Sequence, residues 1–143
     1  MTDDTNFGPE SVSARCTILL LEDEPLILMD LEFSAQDCGC RCLAATCVEQ
    51  ALAHLEAADP LPDLAVLDVT QHDGETCLPV ARELDRRGIP YILYSGDLDR
   101  HNDQIRMLDA ELVPKPASSD RVIAIALRHL RAPPPGNGTP TAG

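Results

Sequence analysis

Basic residues are scarce in this 143-residue sequence: 11 Lys and Arg stand against 24 Asp and Glu, for a net charge of −13. Nucleic-acid binding draws on clustered Lys and Arg, so this balance argues against DNA or RNA as a direct partner and disfavours anionic membranes. No apolar stretch approaches the length of a bilayer span, and no signal-peptide pattern precedes the first hydrophobic run, so the expected compartment is the cytoplasm. Cysteine is present but lacks the spacing of a zinc site. Cys38, Cys40 and Cys42 alternate, Cys16, Cys47 and Cys77 are scattered, and the paired C-x2–4-C pattern is missing. Alternation puts Cys40 and Cys42 on one face of a strand, where a free thiol packs as a small hydrophobe. No internal repeat or second domain is visible, and the length suits one domain with a single core.

Four short apolar runs each deliver a polar residue at their carboxyl end. Leu20 and Leu21 lead to Glu22 and Asp23, Leu64–Leu67 to Asp68, Ile92–Tyr94 to Ser95, and Leu112–Pro114 to Lys115. In an open parallel α/β sheet those ends gather along one edge, where ligands of such folds bind. Three carboxylates crowded together raise one another's pKa and need compensation near pH 7. A divalent cation supplies it, and Mg²⁺ characteristically takes a few carboxylates together with waters and phosphate oxygens. The pattern points to a metal-assisted phosphoryl site.

Between these runs the periodicity turns helical. Residues 1–14 are polar and aperiodic and read as a flexible arm; 15–131 form the folded domain; 132–143 are rich in Pro and Gly and read as a disordered tail. A strand over Thr17–Leu21 precedes a helix from Pro25 to Asp37, whose apolar face is Leu26, Met29 and Phe33, widened by Leu28 and Leu31. After Gly39 comes a strand over Cys40–Ala44. Thr46, with Glu49 in a capping box, starts a helix carrying Val48, Ala51, Leu52 and Leu55 inward. The strand Leu64–Leu67 follows, then a helix with Val80 and Leu84 that ends at Arg86 and Arg87. A strand over Ile89–Tyr94, a short helix holding Ile105, Met107 and Leu108, and a strand over Glu111–Val113 come next. Ser118 or Ser119 caps a last helix with Val122, Ile123, Ala126, Leu127 and Leu130 inward. Five β/α alternations predict a doubly wound, five-stranded parallel sheet covered by helices on both faces.

Taken together, Leu21–Pro25, Leu67–Val69, Tyr94–Gly96 and Val113–Pro116 resemble the receiver domain of two-component response regulators, over roughly residues 16 to 131. The resemblance implies the flavodoxin-like (βα)5 fold. It also implies that Asp68 accepts a phosphoryl group from a phosphohistidine on a histidine kinase or histidine phosphotransfer protein. Asp23, Asp68 and the main-chain carbonyl of Thr70 would be Mg²⁺ ligands, with Glu22 holding a metal-bound water. Lys115 and Ser95 would contact the phosphoryl oxygens. Gly96 would keep the site mouth uncrowded, and the Lys115–Pro116 bond would be cis.

Thr70 and Asp97 would flank the path of an attacking water. Asp97→Ala is therefore expected to alter loss of the phosphoryl group more than its gain. Such a protein is a phosphoacceptor with slow self-dephosphorylation and not an enzyme. It would be a monomer or weak homodimer that signals through a downstream protein or acts as a phosphate sink, with no attached effector domain.

The sequence departs from the family's usual pattern in four places. The segment after Asp68 is short and lacks a Met-Pro pair, resembling a subgroup in which Gly74 and Glu75 have counterparts; His72 lies within it. Leu112 stands where many receivers carry a switch aromatic, and Tyr94 either substitutes for that ring or is a buried strand residue. Ala117 replaces a common Phe, and residues 97–102 are strongly polar. The competing reading is a pseudo-receiver adaptor that binds its partners regardless of phosphate.

Overall fold

Five apolar runs become the strands of one parallel sheet in the computed structural model, which describes residues 16–70, 74–96 and 103–130. The strands are β1 (Cys16–Leu21), β2 (Cys40–Ala45), β3 (Leu64–Asp68), β4 (Tyr91–Ser95) and β5 (Leu112–Pro114), in the order β2-β1-β3-β4-β5. The helices are α1 (Pro25–Asp37), α2 (Val48–Ala57), α3 (Leu78–Arg87), α4 (Asp103–Arg106) and α5 (Ser119–Arg128). This is the flavodoxin-like arrangement, and its strand order reverses direction between β1 and β3. Crevices at such a reversal, beyond the carboxyl ends of the strands, are where open α/β sheets bind ligands.

Because strand side chains alternate, each apolar strand feeds two cores. Ile18 and Leu20 of β1, Leu64 and Val66 of β3, and Ile92 and Tyr94 of β4 pack with Leu28, Leu31 and Ala35 of α1 and Val122, Ile123, Ile125 and Ala126 of α5. Leu19, Leu21, Ala65, Leu67, Tyr91 and Leu93 face the opposite way. They meet Val48, Ala51 and Leu55 of α2, Val80, Ala81 and Leu84 of α3, and Ile105 of α4. Buried Ser34 of α1 donates to Asp120 of α5 at 2.6 Å, tying the two helices on one face. The cysteines follow the packing expectation in part: Cys16, Cys40 and Cys77 are buried and outside any disulfide, and Cys42 is half-buried.

Several local expectations are corrected. The inward face of α1 is Leu28, Leu31, Ser34 and Ala35, whereas Leu26, Met29 and Phe33 are 69%, 42% and 56% exposed. Both sets obey helical spacing, and only docking on β1 and β2 selects between them. The N-cap of α2 is Cys47 without a side-chain bond; Gln50 reaches back to the Thr46 N–H and hydroxyl at 2.8 and 2.9 Å, in place of the Thr46–Glu49 box. α4 is one turn that buries Ile105 and leaves Met107 84% exposed.

Strand ends also shift: β4 begins at Tyr91 and not Ile89, and β5 runs Leu112–Pro114. Ser118 is the α5 cap, accepting from the Arg121 N–H at 3.2 Å. The arm, the tail, His72 and residues 97–102 lie outside the described residues.

Candidate functional site

The carboxyl ends of β1, β3, β4 and β5 converge. Leu21 pairs with Leu67 across β1 and β3, so the next residues along these adjacent strands are Glu22 and Asp68. Ser95 closes β4 opposite Pro114, and Lys115 follows, its N–H donating to the Ser95 carbonyl at 2.8 Å. From there the Lys115 ammonium reaches 3.0 Å from Asp68 Oδ1 and 3.7 Å from Glu22 Oε1. One carboxylate oxygen each of Glu22, Asp23 and Asp68 lies within 4.8 Å of the others.

Burial sharpens the electrostatics. Glu22, Asp68 and Ser95 are buried, and Asp23 is half-exposed at the lip. Burial first, and then the charges of Asp68 and Asp23, push the Glu22 carboxyl up to about 7, against the restraining Glu24 N–H and the Lys115 ammonium. That N–H donates to Glu22 Oε2 at 3.0 Å, while Oε1 is buried with no hydrogen-bond partner. For Lys115, burial opposes the charge, yet the hydrogen bond and charge of Asp68, with Glu22 behind it, hold its pKa above the ordinary value of 10.5. One ammonium thus serves two carboxylates with a third beside them. A set of hard oxygen donors with an orphaned buried carboxylate oxygen among them fits a divalent cation such as Mg²⁺.

The chain is similar to several solved structures. SdrG from Sphingomonas melonis Fr1 is 38% identical with a TM-score of 0.67; the match covers 83% of this chain and 98% of that one. A response regulator receiver protein from Sinorhizobium medicae WSM419 is 28% identical with a TM-score of 0.67, covering 80% of this chain and 93% of that one. The chain belongs to the response regulator receiver family. NtrX from Brucella abortus is 26% identical with a TM-score of 0.68, and this receiver covers only 26% of that longer protein. No protein-family model matches the sequence, and no curated protein matches it.

Of the receiver's other expected site residues, Thr70, Ser95, Gly96 and Leu112 lie within the described residues. Thr70 is exposed and bridges antiparallel to Thr76, closing the loop after β3. The Ser95 hydroxyl donates to the Gly96 carbonyl at 2.8 Å. A Cβ on Gly96 would meet nothing within 4 Å, so glycine there preserves open space and does not relieve a clash. The Lys115–Pro116 bond is cis. Leu112 is half-buried on the face that meets α2 and α3. Asp97 lies outside the described residues.

Two features escaped sequence reasoning. The Glu24 N–H clamp on Glu22 depends on the turn into α1, to which Pro25 was the sole pointer. The Tyr94 ring lies under the Lys115 ammonium, 4.9 Å from its centroid, a contact between strands that spacing does not encode.

Proposed function

We propose that this receiver accepts a phosphoryl group on Asp68 from a phosphohistidine of a histidine kinase or histidine phosphotransfer protein. The observation that carries the reading is the Lys115 ammonium 3.0 Å from Asp68 within a cluster of three carboxylates. An Asp68 oxygen attacks phosphorus in line, a P–O bond forms, and the P–N bond breaks with its electron pair returning to the donor imidazole. Lys115 neutralises Asp68 beforehand and afterwards pairs with a phosphoryl oxygen. Ser95 turns its hydroxyl from the Gly96 carbonyl to another. Asp23, Asp68 and the Thr70 carbonyl would hold Mg²⁺, with Glu22 on a bound water; the cation would supply neutralisation of the gathered negative charge.

The exposed stripe Leu26, Met29 and Phe33 begins three residues after Asp23, on the same edge of the sheet as Asp68. It suits a partner presenting its histidine on an apolar helical surface. Phosphorylation then shifts a two-state equilibrium of the receiver surface, read by a downstream protein, or the acyl phosphate simply drains a relay. A phosphohistidine donor places this activity in the cytoplasm. In this reading the protein is a phosphoacceptor with slow self-dephosphorylation and not an enzyme.

Incubation with acetyl phosphate and Mg²⁺ tests the reading. Intact mass should rise by one phosphate, and Asp68→Asn should abolish the rise. An unchanged wild-type mass under all conditions sinks it in favour of the phosphate-independent adaptor.

A further inference from the structure

Tyr94 touches both the site and the start of the last helix. Its backbone pairs with Asp68 across β3 and β4, and its carbonyl accepts the Val69 N–H at 3.2 Å. Its ring, 5% exposed in the core beneath α1 and α5, lies 4.9 Å from the Lys115 ammonium. At the far end the hydroxyl donates to the Ala117 carbonyl at 3.0 Å, and the next residue, Ser118, caps α5. One rigid side chain therefore spans from the phosphoacceptor's lysine to the N-terminus of α5. Leu112 offers no polar tip and packs on the opposite face of the sheet, so it cannot make this connection.

We propose that Tyr94 is a positioning residue linking Lys115 to α5: its ring holds the ammonium, and its hydroxyl holds the turn between β5 and α5. The inference rests on the phosphoacceptor reading. A phosphoryl group on Asp68 moves the negative charge outward, the ammonium follows it, and attraction to the ring face falls with distance. The ring, relieved of that contact, shifts the carbonyl it holds, and the change reaches α5.

Lys115 is the sequence's sole lysine, so lysine-selective labelling gives one set of NMR signals. Wild type, Tyr94→Phe and Tyr94→Leu would be compared before and after loading with Mg²⁺ and beryllofluoride as the acyl-phosphate mimic. In the unloaded wild type and Tyr94→Phe, ring shielding should move the Lys115 ε-methylene protons upfield, and Tyr94→Leu should return them to the ordinary lysine position. On loading, the wild-type amides of Ala117, Ser118 and Ser119 should shift. In Tyr94→Phe those shifts should shrink several-fold while the amides of Val69 and Ser95 respond as in wild type.

Equal loop shifts in wild type and Tyr94→Phe would overturn the link, as would an unshielded Lys115 in the wild type. A wild type that gains no mass from acetyl phosphate overturns the phosphoacceptor reading, and this inference with it. A wild type that gains the mass, with loop shifts of equal size in wild type and Tyr94→Phe, overturns this inference alone.

Discussion

A buried carboxyl with one oxygen left over is a stability liability, and Glu22 is that residue here. Its pKa is raised from 4.5 to about 7, chiefly by burial, so between those values the folded chain holds a proton that the unfolded chain has released. Its contribution to stability is therefore complete below pH 4.5 and is lost as pH rises through about 7. In chelator, urea melts should show stability falling across that window by on the order of 2 kcal/mol. Glu22→Gln should flatten the fall and raise stability at pH 7.5. A wild-type slope equal to that of Glu22→Gln would refute the assignment. The same substitution should weaken Mg²⁺ binding, because the site loses a charge that the cation would offset. Lys115 is the counterweight. Lys115→Met leaves Asp68 and Glu22 with less compensation, and acetyl phosphate should then phosphorylate Asp68 at least about tenfold more slowly, since charge-assisted contacts to the transferring group are lost.

At the scale of elements, α1 presents two apolar stripes and the sheet takes one. Leu28, Leu31 and Ala35 go inward; Leu26, Met29 and Phe33 stay out. Sequence periodicity could not choose, because both stripes satisfy i, i+3, i+7 spacing and the decision rests on which side β1 and β2 present. The strands were legible for the opposite reason. Four of them, all but β2, are short, nearly unbroken apolar runs leading to a polar residue, the pattern expected of strands in a sheet covered on both faces. The α2 start was misread because Thr46 and Glu49 match a capping box, while Gln50 one position later makes the actual bonds. The exposed stripe carries a consequence. Met29→Glu with Phe33→Asp should slow phosphotransfer from a histidine phosphotransfer protein by about tenfold or more, a loss of roughly 1.4 kcal/mol. Labelling by acetyl phosphate should be unchanged, since that small donor needs no docking face; a parallel loss with both donors would mean the double variant damaged the site itself. α3 gives a purely conformational test. Gly88 ends it at φ 72°, and a Cβ there would meet nothing within 4 Å. Gly88→Ala should therefore cost about 1 kcal/mol in a urea melt through backbone strain alone, with phosphorylation intact.

For the whole molecule, what matters is that Asp23, Asp68 and Lys115 are 45 and 47 residues apart in turn and meet only after β1, β3 and β5 lie in one sheet. The acids and the lysine could be picked out in the sequence because each ends an apolar run. Their convergence could be anticipated only from the fold that five alternations imply. The tilt of the site, with Asp23 at the lip and Glu22 clamped by the Glu24 N–H, came from the turn into α1, which has no sequence period to betray it. A site made by folding couples ligand binding to stability. A cation that binds the folded chain and not the unfolded one stabilises by RT ln(1 + [L]/Kd), about 2.7 kcal/mol at one hundred times Kd. Saturating Mg²⁺ should therefore raise the melting temperature of the wild type by several degrees, with Ca²⁺ and Na⁺ at matched ionic strength as controls. Asp23→Asn should remove most of the increase, because it deletes a charged oxygen at the lip that would hold the cation, without disturbing the buried core. If Mg²⁺ stabilised Asp23→Asn and wild type equally, the cation would be acting somewhere other than among these three carboxylates.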